Sequence, residues 1–256
     1  MPRFAKTRGI VLRKYEFSES SHVLTVLTRD YGRVQMLAKG SRRMGRKRVE
    51  GFLDLLSLVD LVMIPKPSGA LSTLTEFEIR NEFREVRTDL PRLASALFIA
   101  EIAALGSEEF QRNDAVFDLV RQVLEELETA PAASLPALML GFDVRFLRRI
   151  GFGLELESCA VSRTPRARCR RTWFSPAAGG LVDAEHRFGD PRAVEASPGV
   201  FAILAALGRG SWDAARRTRV TRASYREARR LLVGYYQYVF ERRLRSLQFL
   251  ESTLFA

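Results

Sequence analysis

The chain contains few of the residues on which most catalytic and metal centres depend. It has two cysteines and two histidines in 256 residues. It has no CxxC pair, HExxH motif, nucleophile elbow or phosphate-binding glycine loop. Two cysteines are also too few for a disulfide framework. We therefore expect no catalytic residues, and interpret the chain as neither a secreted disulfide scaffold nor a common type of enzyme.

Long apolar runs are also missing. The most apolar helical pattern, residues 93–105, is interrupted by Glu101, so no stretch reaches the roughly 18 apolar residues of a membrane span. The apolar run within residues 1–17 is too short for a signal peptide. Hydrophobic residues make up 46% and charged residues 28%, which is typical of a folded chain. These features predict a folded cytoplasmic protein without a membrane partner.

Between Asp30 and Glu50 the chain carries no acidic residue, although its formal charge is +11. An alternating strand pattern over residues 33–39 is followed by Gly40 and a basic loop. The cations of this segment are Arg33, Lys39, Arg42, Arg43, Arg46, Lys47 and Arg48. Cations without counter-charges beside a sheet can follow a phosphate backbone. We interpret them as nucleic-acid contacts, with Tyr31 as a stacking residue, rather than as a merely solvated loop.

Arginine is dense again between residues 209 and 230, where only two acids oppose it. Arg216 and Arg217 represent this region as candidate contacts to a nucleic-acid backbone. The alternative is a helix face that pairs with acids elsewhere in the fold. The sequence leaves both interpretations open.

A third arginine-rich region surrounds both cysteines. The candidate metal ligands here are Cys159, Cys169, Asp183 and His186. The spacing between the two cysteines is not typical of zinc ligands. Reduced structural thiols and a surface histidine are the preferred interpretation, with no metal and no cofactor.

Strand patterns occupy roughly the first eighty residues. Five short segments are predicted as strands: residues 9–15, 22–28, 33–39, 52–64 and 71–79. The turn Asp30-Tyr31-Gly32 predicts a hairpin between the second and third of them. Five short strands without a competing helical pattern predict a small closed barrel.

Helical patterns dominate from residue 81 onward. Asp89 is placed to cap a helix with Pro91 in its first turn, and Asn113 or Asp114 to open the next. Further helices are predicted over residues 138–150 and 225–252, the latter long and amphipathic with a cap near Thr221. Residues 151–198 are rich in arginine, glycine and proline and are interpreted as an insertion of loops and short strands. The predicted fold class is therefore α+β.

A series of segments in the same order resembles the RecO family of bacterial DNA repair and recombination mediators. The resembling segments are GIVLRKYEFSESSHVLTVLTRDYGRV, LAKGSRRMGRKRVEGFLDLLSLVDLVM, TLTEFE, FDVRFLRRIGFGLELESCA, FSPAAGGLV and YYQYVFERRLRSLQFL. The resemblance covers nearly the whole chain. It implies an N-terminal five-stranded OB-fold barrel, residues 1–82, followed by an all-helical domain, residues 83–256, with a small irregular insertion at about residues 155–195.

The resemblance also implies what the protein does. It implies a non-enzymatic mediator, nucleoid-associated in the cytoplasm, that binds single- and double-stranded DNA and anneals complementary strands. The implied partners are RecR, the acidic tail of single-stranded DNA-binding protein and, indirectly, RecA. Arg145, Arg148 and Arg149 beside Phe146 are candidates for holding an acidic, apolar-ended tail. An RNA-binding or ribosome-associated OB-fold adaptor is the alternative that the same barrel and charge support.

The chain departs from the resemblance at one point. Many family members carry two CxxC pairs in a zinc-binding insertion. At the corresponding positions this chain has Cys159, Ser162, Asp183 and His186. A full four-thiol set is therefore absent, and we expect a degenerate, metal-free zinc-finger-like insertion held by its core around Trp173 and Phe174.

Overall fold

The structure is a computed structural model that describes residues 4–18, 21–39, 53–67 and 69–254. The chain forms two compact units, residues 1–128 and residues 129–256. The first unit holds a barrel and the first helices, so the helical pattern predicted from residue 83 begins inside it. No helix in these described ranges is long and apolar enough to cross a membrane.

A closed barrel of five strands opens the first unit. The strands are β1 (Ala5–Ser18), β2 (Ser21–Thr28), β3 (Gly32–Lys39), β4 (Leu58–Ile64) and β5 (Ser72–Asn81). Their order around the barrel is β1-β2-β3-β5-β4, and β3 and β5 form the parallel pair. This is the predicted OB-fold barrel, and the helices that follow it confirm the α+β class.

The hairpin between β2 and β3 is confirmed at the predicted turn. Val34 and Met36 are fully buried in the barrel interior, whereas Arg33 and Gln35 are half-buried on the outside, as the two-residue period of a strand requires. Gly32 has a φ of 63°, and a Cβ there would lie 2.0 Å from the carbonyl oxygen of Gln111. Only glycine fits that position.

The fourth predicted strand, residues 52–64, is wrong in its first part. β4 begins at Leu58, and Leu56 has a left-handed backbone with a φ of 68°. The amide of Leu56 donates to the carbonyl of Val11 at 2.7 Å, and the amide of Val11 donates to Ser57 at 3.1 Å. Leu53 and Leu56 are nevertheless buried. A turn that buries its apolar side chains produces the same continuous apolar run as a strand, so the pattern could not separate them.

Three helices complete the described part of the first unit: α1 (Arg84–Thr88), α2 (Leu90–Leu105) and α3 (Asp114–Thr129). The predicted caps are confirmed, because Asp89 accepts from the amide of Arg92 and Asn113 accepts from the amide of Val116. α2 packs against β1 and β2. Part of the outer barrel surface is therefore covered by this helix.

The second unit is built around α4 (Leu135–Arg149), which is buried from Leu135 to Leu147 and packs against α5, α6 and α7. The other elements are β6 (Trp173–Ser175), β7 (Gly180–Val182), β8 (Val194–Glu195), α5 (Pro198–Arg209), α6 (Trp212–Arg217), α7 (Arg222–Phe240) and α8 (Leu247–Thr253). The three short strands form one sheet in the order β7-β6-β8. The predicted insertion therefore contains loops and short strands, with Trp173 and Phe174 buried.

The single helix predicted over residues 225–252 is also wrong, because it is broken into α7 and α8. α7 begins after Thr221, whose hydroxyl accepts from the amide of Ser224 as predicted, and it ends where Glu241 has a φ of 52°. Leu244 and Leu250 are still buried beyond the break. The apolar pattern continues through the break, which is why periodicity alone missed it.

One pair of opposite charges is enclosed between α4 and α7. The side chains of Asp143 and Arg229 are 0% and 1% exposed, and Oδ2 of Asp143 lies 2.8 Å from Nη1 of Arg229. The hydroxyl of Tyr236 donates to Asp143 at 3.0 Å, and Nε of Arg229 donates to the hydroxyl of Tyr225 at 3.2 Å. Burial raises the pKa of Asp143 to about 6, against the attraction of Arg229. Isolated buried charges are costly, so these partners depend on one another.

Candidate nucleic-acid interface

An outward face of three barrel strands lies beside the end of β3. The stretch that follows β3 in sequence, residues 40–48, is called the basic segment. Tyr15 on β1 pairs with Val23 on β2, which pairs with Leu37 on β3. Directly paired residues share one side of a sheet, and Leu37 has the outward phase because Met36 faces the interior. Tyr15 is 54% exposed and the nearby Phe17 is 65% exposed. We refer to this surface, from Tyr15 across Val23 to Leu37 with Phe17 at its edge, as the open barrel face.

Polar and basic residues adjoin the open barrel face. In the next row of the sheet, Arg13 pairs with Thr25, and Thr25 pairs with Gln35. On the other side, the backbone of Lys39 pairs with Ser21 at the end of β3. The predicted contacts Arg42, Arg43, Arg46, Lys47 and Arg48, and the side chain of Lys39, lie outside the described residues. The basic segment therefore leaves the barrel next to an exposed aromatic surface.

Two residues predicted for this interface are used inside the first unit. Nε of Arg33 donates to the carbonyl of Ser107 at 2.9 Å, and the Arg33 backbone bonds to Glu108 and Phe110. Tyr31 is partly buried against the barrel core. Tyr15 and Phe17 are the exposed aromatics described on this face instead. Sequence reasoning missed them, although Tyr15 shares the outward phase of Arg13 along β1.

We predict that replacing Tyr15 and Phe17 together with alanine weakens binding of single-stranded oligonucleotides. Stacking of a base on an aromatic side chain contributes about 1–3 kcal/mol, so affinity should fall about tenfold for each lost contact. Duplex binding should change less, because paired bases are not free to stack. Fluorescence anisotropy with matched single and double strands measures both affinities.

Phe188→Ala is the control, since Phe188 is an exposed aromatic of the second unit. Equal losses for single and double strands would show that the two aromatics do not act by stacking.

The second unit carries a separate basic surface between the end of α6 and the first turns of α7. Arg217, Arg219 and Arg226 are exposed and form no ion pair with any residue in the described part of the chain. Arg222, Arg226 and Arg230 recur at a spacing of four and share one face of α7, where like charges repel. They line a cavity of about 550 Å³ together with Tyr225, Val233 and the acid Glu251, which offsets part of this repulsion.

Arg216, by contrast, is half-buried and donates to the hydroxyl of Thr129 at 2.7 Å. Of the two predicted contacts in this region, Arg217 is therefore the one that faces solvent. Arg219 and Arg226, which belong to the same arginine-rich stretch, are also exposed.

The three arginines predicted for an acidic tail have different surroundings. Arg145 is only 6% exposed, and its Nη2 donates to the carbonyls of Leu207 and Gly210 at 3.0 and 2.7 Å. Its guanidinium also lies 3.9 Å from the Trp212 ring centre. Arg145 thus holds the end of α5 inside the unit and is not presented to a partner. Arg148 is exposed, and Arg149 is half-buried.

The positions implied for zinc ligands do meet in space. Atoms of Cys159, Asp183 and His186 that could each bind a metal lie within 4.8 Å of one another. Ser162 Oγ donates to Oδ2 of Asp183 at 2.7 Å, and Nδ1 of His186 lies 2.7 Å from Oδ1 of the same carboxylate. Burial acts to raise the pKa of Asp183, but the hydrogen bonds from Ser162 and His186 outweigh it and hold that pKa below its usual range.

These residues do not fit the four-thiolate zinc site that the resemblance implies. They offer one thiol, and the carboxylate and imidazole are already bonded to each other. Burial raises the pKa of the nearby Cys169 thiol, and the charges of Asp183 and Cys159 add to the shift. That shift disfavours the thiolate that binds a metal.

Comparison with known proteins covers both units. The family model described as Recombination protein O N terminal matches residues 1–83, and the model described as Recombination protein O C terminal matches residues 87–248.

Curated relatives carry the description DNA repair protein RecO. The one from Moorella thermoacetica is 31% identical over 98% of this chain and 92% of its own length. The one from Anaeromyxobacter dehalogenans is 30% identical over 97% of this chain and 96% of its own length. The one from Rhodopirellula baltica is 36% identical over 68% of this chain and 64% of its own length. The barrel, the helical region that follows it in sequence and both family models, in order along one chain, place this protein in the RecO family of DNA repair proteins.

Proposed function

We propose that this protein is a non-enzymatic recombination mediator that binds single- and double-stranded DNA and anneals complementary strands during repair. The observation that carries this proposal is the open barrel face. There, Tyr15 and Phe17 are exposed beside the point where a segment of five cations and no acid leaves β3. Aromatic platforms combined with a basic groove are typical of single-strand binding.

Binding of this kind should depend little on sequence. Arginine and lysine contact phosphates, which carry no base information, and the few exposed aromatics stack on any base. The Watson–Crick edges of a bound strand then stay free. Annealing follows because two strands held on a cationic surface meet at high local concentration while the charge repulsion between their backbones is reduced.

The second unit contributes to the same proposal. Arg217, Arg219 and Arg226 form a solvent-facing basic surface without ion pairs to described residues, and duplex backbones are a suitable ligand for it. Among the partners that the resemblance implies, we propose the acidic tail of single-stranded DNA-binding protein, RecR and, indirectly, RecA. We place this activity in the cytoplasm, at the nucleoid.

Strand annealing tests the proposal. Two complementary oligonucleotides, coated with the cognate single-stranded DNA-binding protein, are mixed with this protein in the absence of ATP and divalent metal. We expect faster annealing than the coated strands show alone, and a smaller acceleration by the variant with Tyr15→Ala and Phe17→Ala. Tight binding to naked DNA without any acceleration would overturn the mediator role. Preference for structured RNA of equal length would favour the RNA-adaptor alternative.

A further inference from the structure

Two turns of the insertion meet through a small polar junction. The first turn runs from Cys159 to Ser162, where the amide of Ser162 lies 3.4 Å from Sγ of Cys159 and donates to it. The second runs from Asp183 to His186, directly after β7. In that turn the amides of Glu185 and His186 donate to Oδ1 of Asp183 at 3.2 and 3.1 Å. Each turn therefore directs backbone donors toward its own first side chain.

The Asp183 carboxylate connects the two turns. Its Oδ2 accepts from Ser162 Oγ of the first turn at 2.7 Å, and its Oδ1 lies 2.7 Å from Nδ1 of His186. Cys159, which is fully buried, has its thiol within 4.8 Å of both Asp183 and His186. The Ser162 hydroxyl also lies 3.0 Å from the hydroxyl of Thr164. Hydrogen bonds to an ionised acceptor are stronger than those between neutral groups, so one carboxylate can hold several donors.

We infer that the Asp183 carboxylate joins these two turns in place of a metal ion. A metal cation at this junction would attract four ligand atoms that donate electron pairs. Each turn would supply two of these ligands. Here the charge at the centre is negative, and the groups around it supply hydrogens: the Ser162 hydroxyl, the His186 imidazole and two backbone amides. Thiolates at the other three positions would repel this carboxylate, whereas the Ser162 hydroxyl and the His186 imidazole hydrogen-bond to it. Folding of the insertion should therefore be independent of metal.

The junction also has support that no metal provides. Trp173 and Phe174 of β6 are buried, and the sheet β7-β6-β8 holds β7 in register immediately before Asp183. The hydrogen bonds of Asp183 therefore join turns whose flanking strand is already fixed, which lowers the entropy lost in forming them.

Metal content and thermal unfolding of the full chain test the inference. The purified wild-type protein should contain far less than one equivalent of zinc, and a chelator should leave its melting temperature unchanged. Asp183→Asn keeps the size of the side chain but removes its charge and one acceptor, and should lower the melting temperature by roughly 2–6 °C. Asp213→Asn, at an exposed position, is the matched control and should have no effect.

A gain-of-metal variant keeps the inference testable even if Asp183→Asn does not fold. Ser162→Cys, Asp183→Cys and His186→Cys together with the native Cys159 create two CxxC pairs on the same turns. This variant should bind one Co²⁺ with thiolate charge-transfer absorption, and its melting temperature should become sensitive to chelators. Stoichiometric zinc in the wild-type protein, with a melting temperature that falls when it is removed, would overturn the inference. So would an unchanged melting temperature in a folded Asp183→Asn variant.

Discussion

Asp143→Ala is expected to lower the free energy of unfolding by about 3–5 kcal/mol, the largest loss of stability from any single substitution considered for this protein. The Asp143 and Arg229 side chains are almost completely enclosed and lie 2.8 Å apart. Removing the carboxylate leaves the Arg229 charge buried without its counter-ion and leaves the Tyr236 hydroxyl without its acceptor. Urea denaturation followed by circular dichroism measures the loss.

Two further variants separate this cause from simple truncation. Glu157→Ala removes an acid from an exposed ion pair with Arg209 and should leave stability unchanged, because solvent screens such pairs. Asp143→Leu combined with Arg229→Met replaces both charges by apolar groups and should recover most of the loss. A double variant as unstable as Asp143→Ala would show that the uncompensated charge is not the cause.

The Asp143 carboxylate should make the free energy of unfolding fall as the pH rises toward about 6. Burial raises the pKa of Asp143 to about 6 in the folded protein, above its ordinary value in the unfolded chain. Between those two values the folded state holds a proton that the unfolded state has released. The stabilisation that comes from binding this proton is therefore complete below the unfolded pKa and is lost as the pH rises through about 6. The free energy of unfolding of the wild-type protein should therefore fall relative to that of Asp143→Asn, by up to about 1.4 kcal/mol per pH unit as the pH rises through that window. Parallel stability curves of the two proteins between about pH 4 and pH 6 would contradict this pKa.

Neutralising the basic segment is expected to have the largest effect on DNA binding. The variant carries alanine at five positions: Arg42, Arg43, Arg46, Lys47 and Arg48. If each cation neutralises one phosphate of a single strand, the slope of log affinity against log salt should become less steep by about 3.5. Affinity at low salt should fall strongly, while thermal unfolding should change little, since the buried core of the barrel is formed by other residues. Anisotropy titrations over a series of salt concentrations give the slope.

A control with the same loss of charge is available in the chain. Five partly or fully exposed arginines already form ion pairs with acids: Arg84, Arg112, Arg121, Arg163 and Arg171. Replacing all five with alanine lowers the net charge equally but removes cations that are not free to contact phosphate. The salt slope should then stay close to that of the wild-type protein. If the two variants behave alike, binding follows overall charge and the basic segment has no special role.

Several elements were predictable because their causes are local. The two-residue alternation around Val34 and Met36 identified β3, and the turn at Gly32 identified its hairpin. Asp89 and Asn113 marked helix starts because a side-chain oxygen next to unpaired amides stabilises that end regardless of the rest of the fold. The placement of a basic segment directly after β3 was also evident from the sequence, since it depends only on the order of residues along the chain.

Other features depended on what each side chain meets. Arg33 and Arg145 are as basic in sequence as Arg217, yet the first two donate to backbone carbonyls inside their units and only Arg217 faces solvent. The exposed aromatics Tyr15 and Phe17 could not be separated from core aromatics by residue type. Strand alternation gives Tyr15 the outward phase of Arg13, but whether another element covers that side of the sheet depends on the packed fold.

The sequence by itself determined that a barrel is followed by a helical region and that positive charge is concentrated directly after β3. Periodicity, capping and charge act over a few residues, so these features are local. Only the tertiary structure decided which arginines remain available, where an apolar run turns at Leu56, and how residues 159–162 and 183–186 meet through Asp183. Those outcomes depend on contacts between segments that are distant along the chain. The free energy of such contacts is set by burial and by the geometry of the partner.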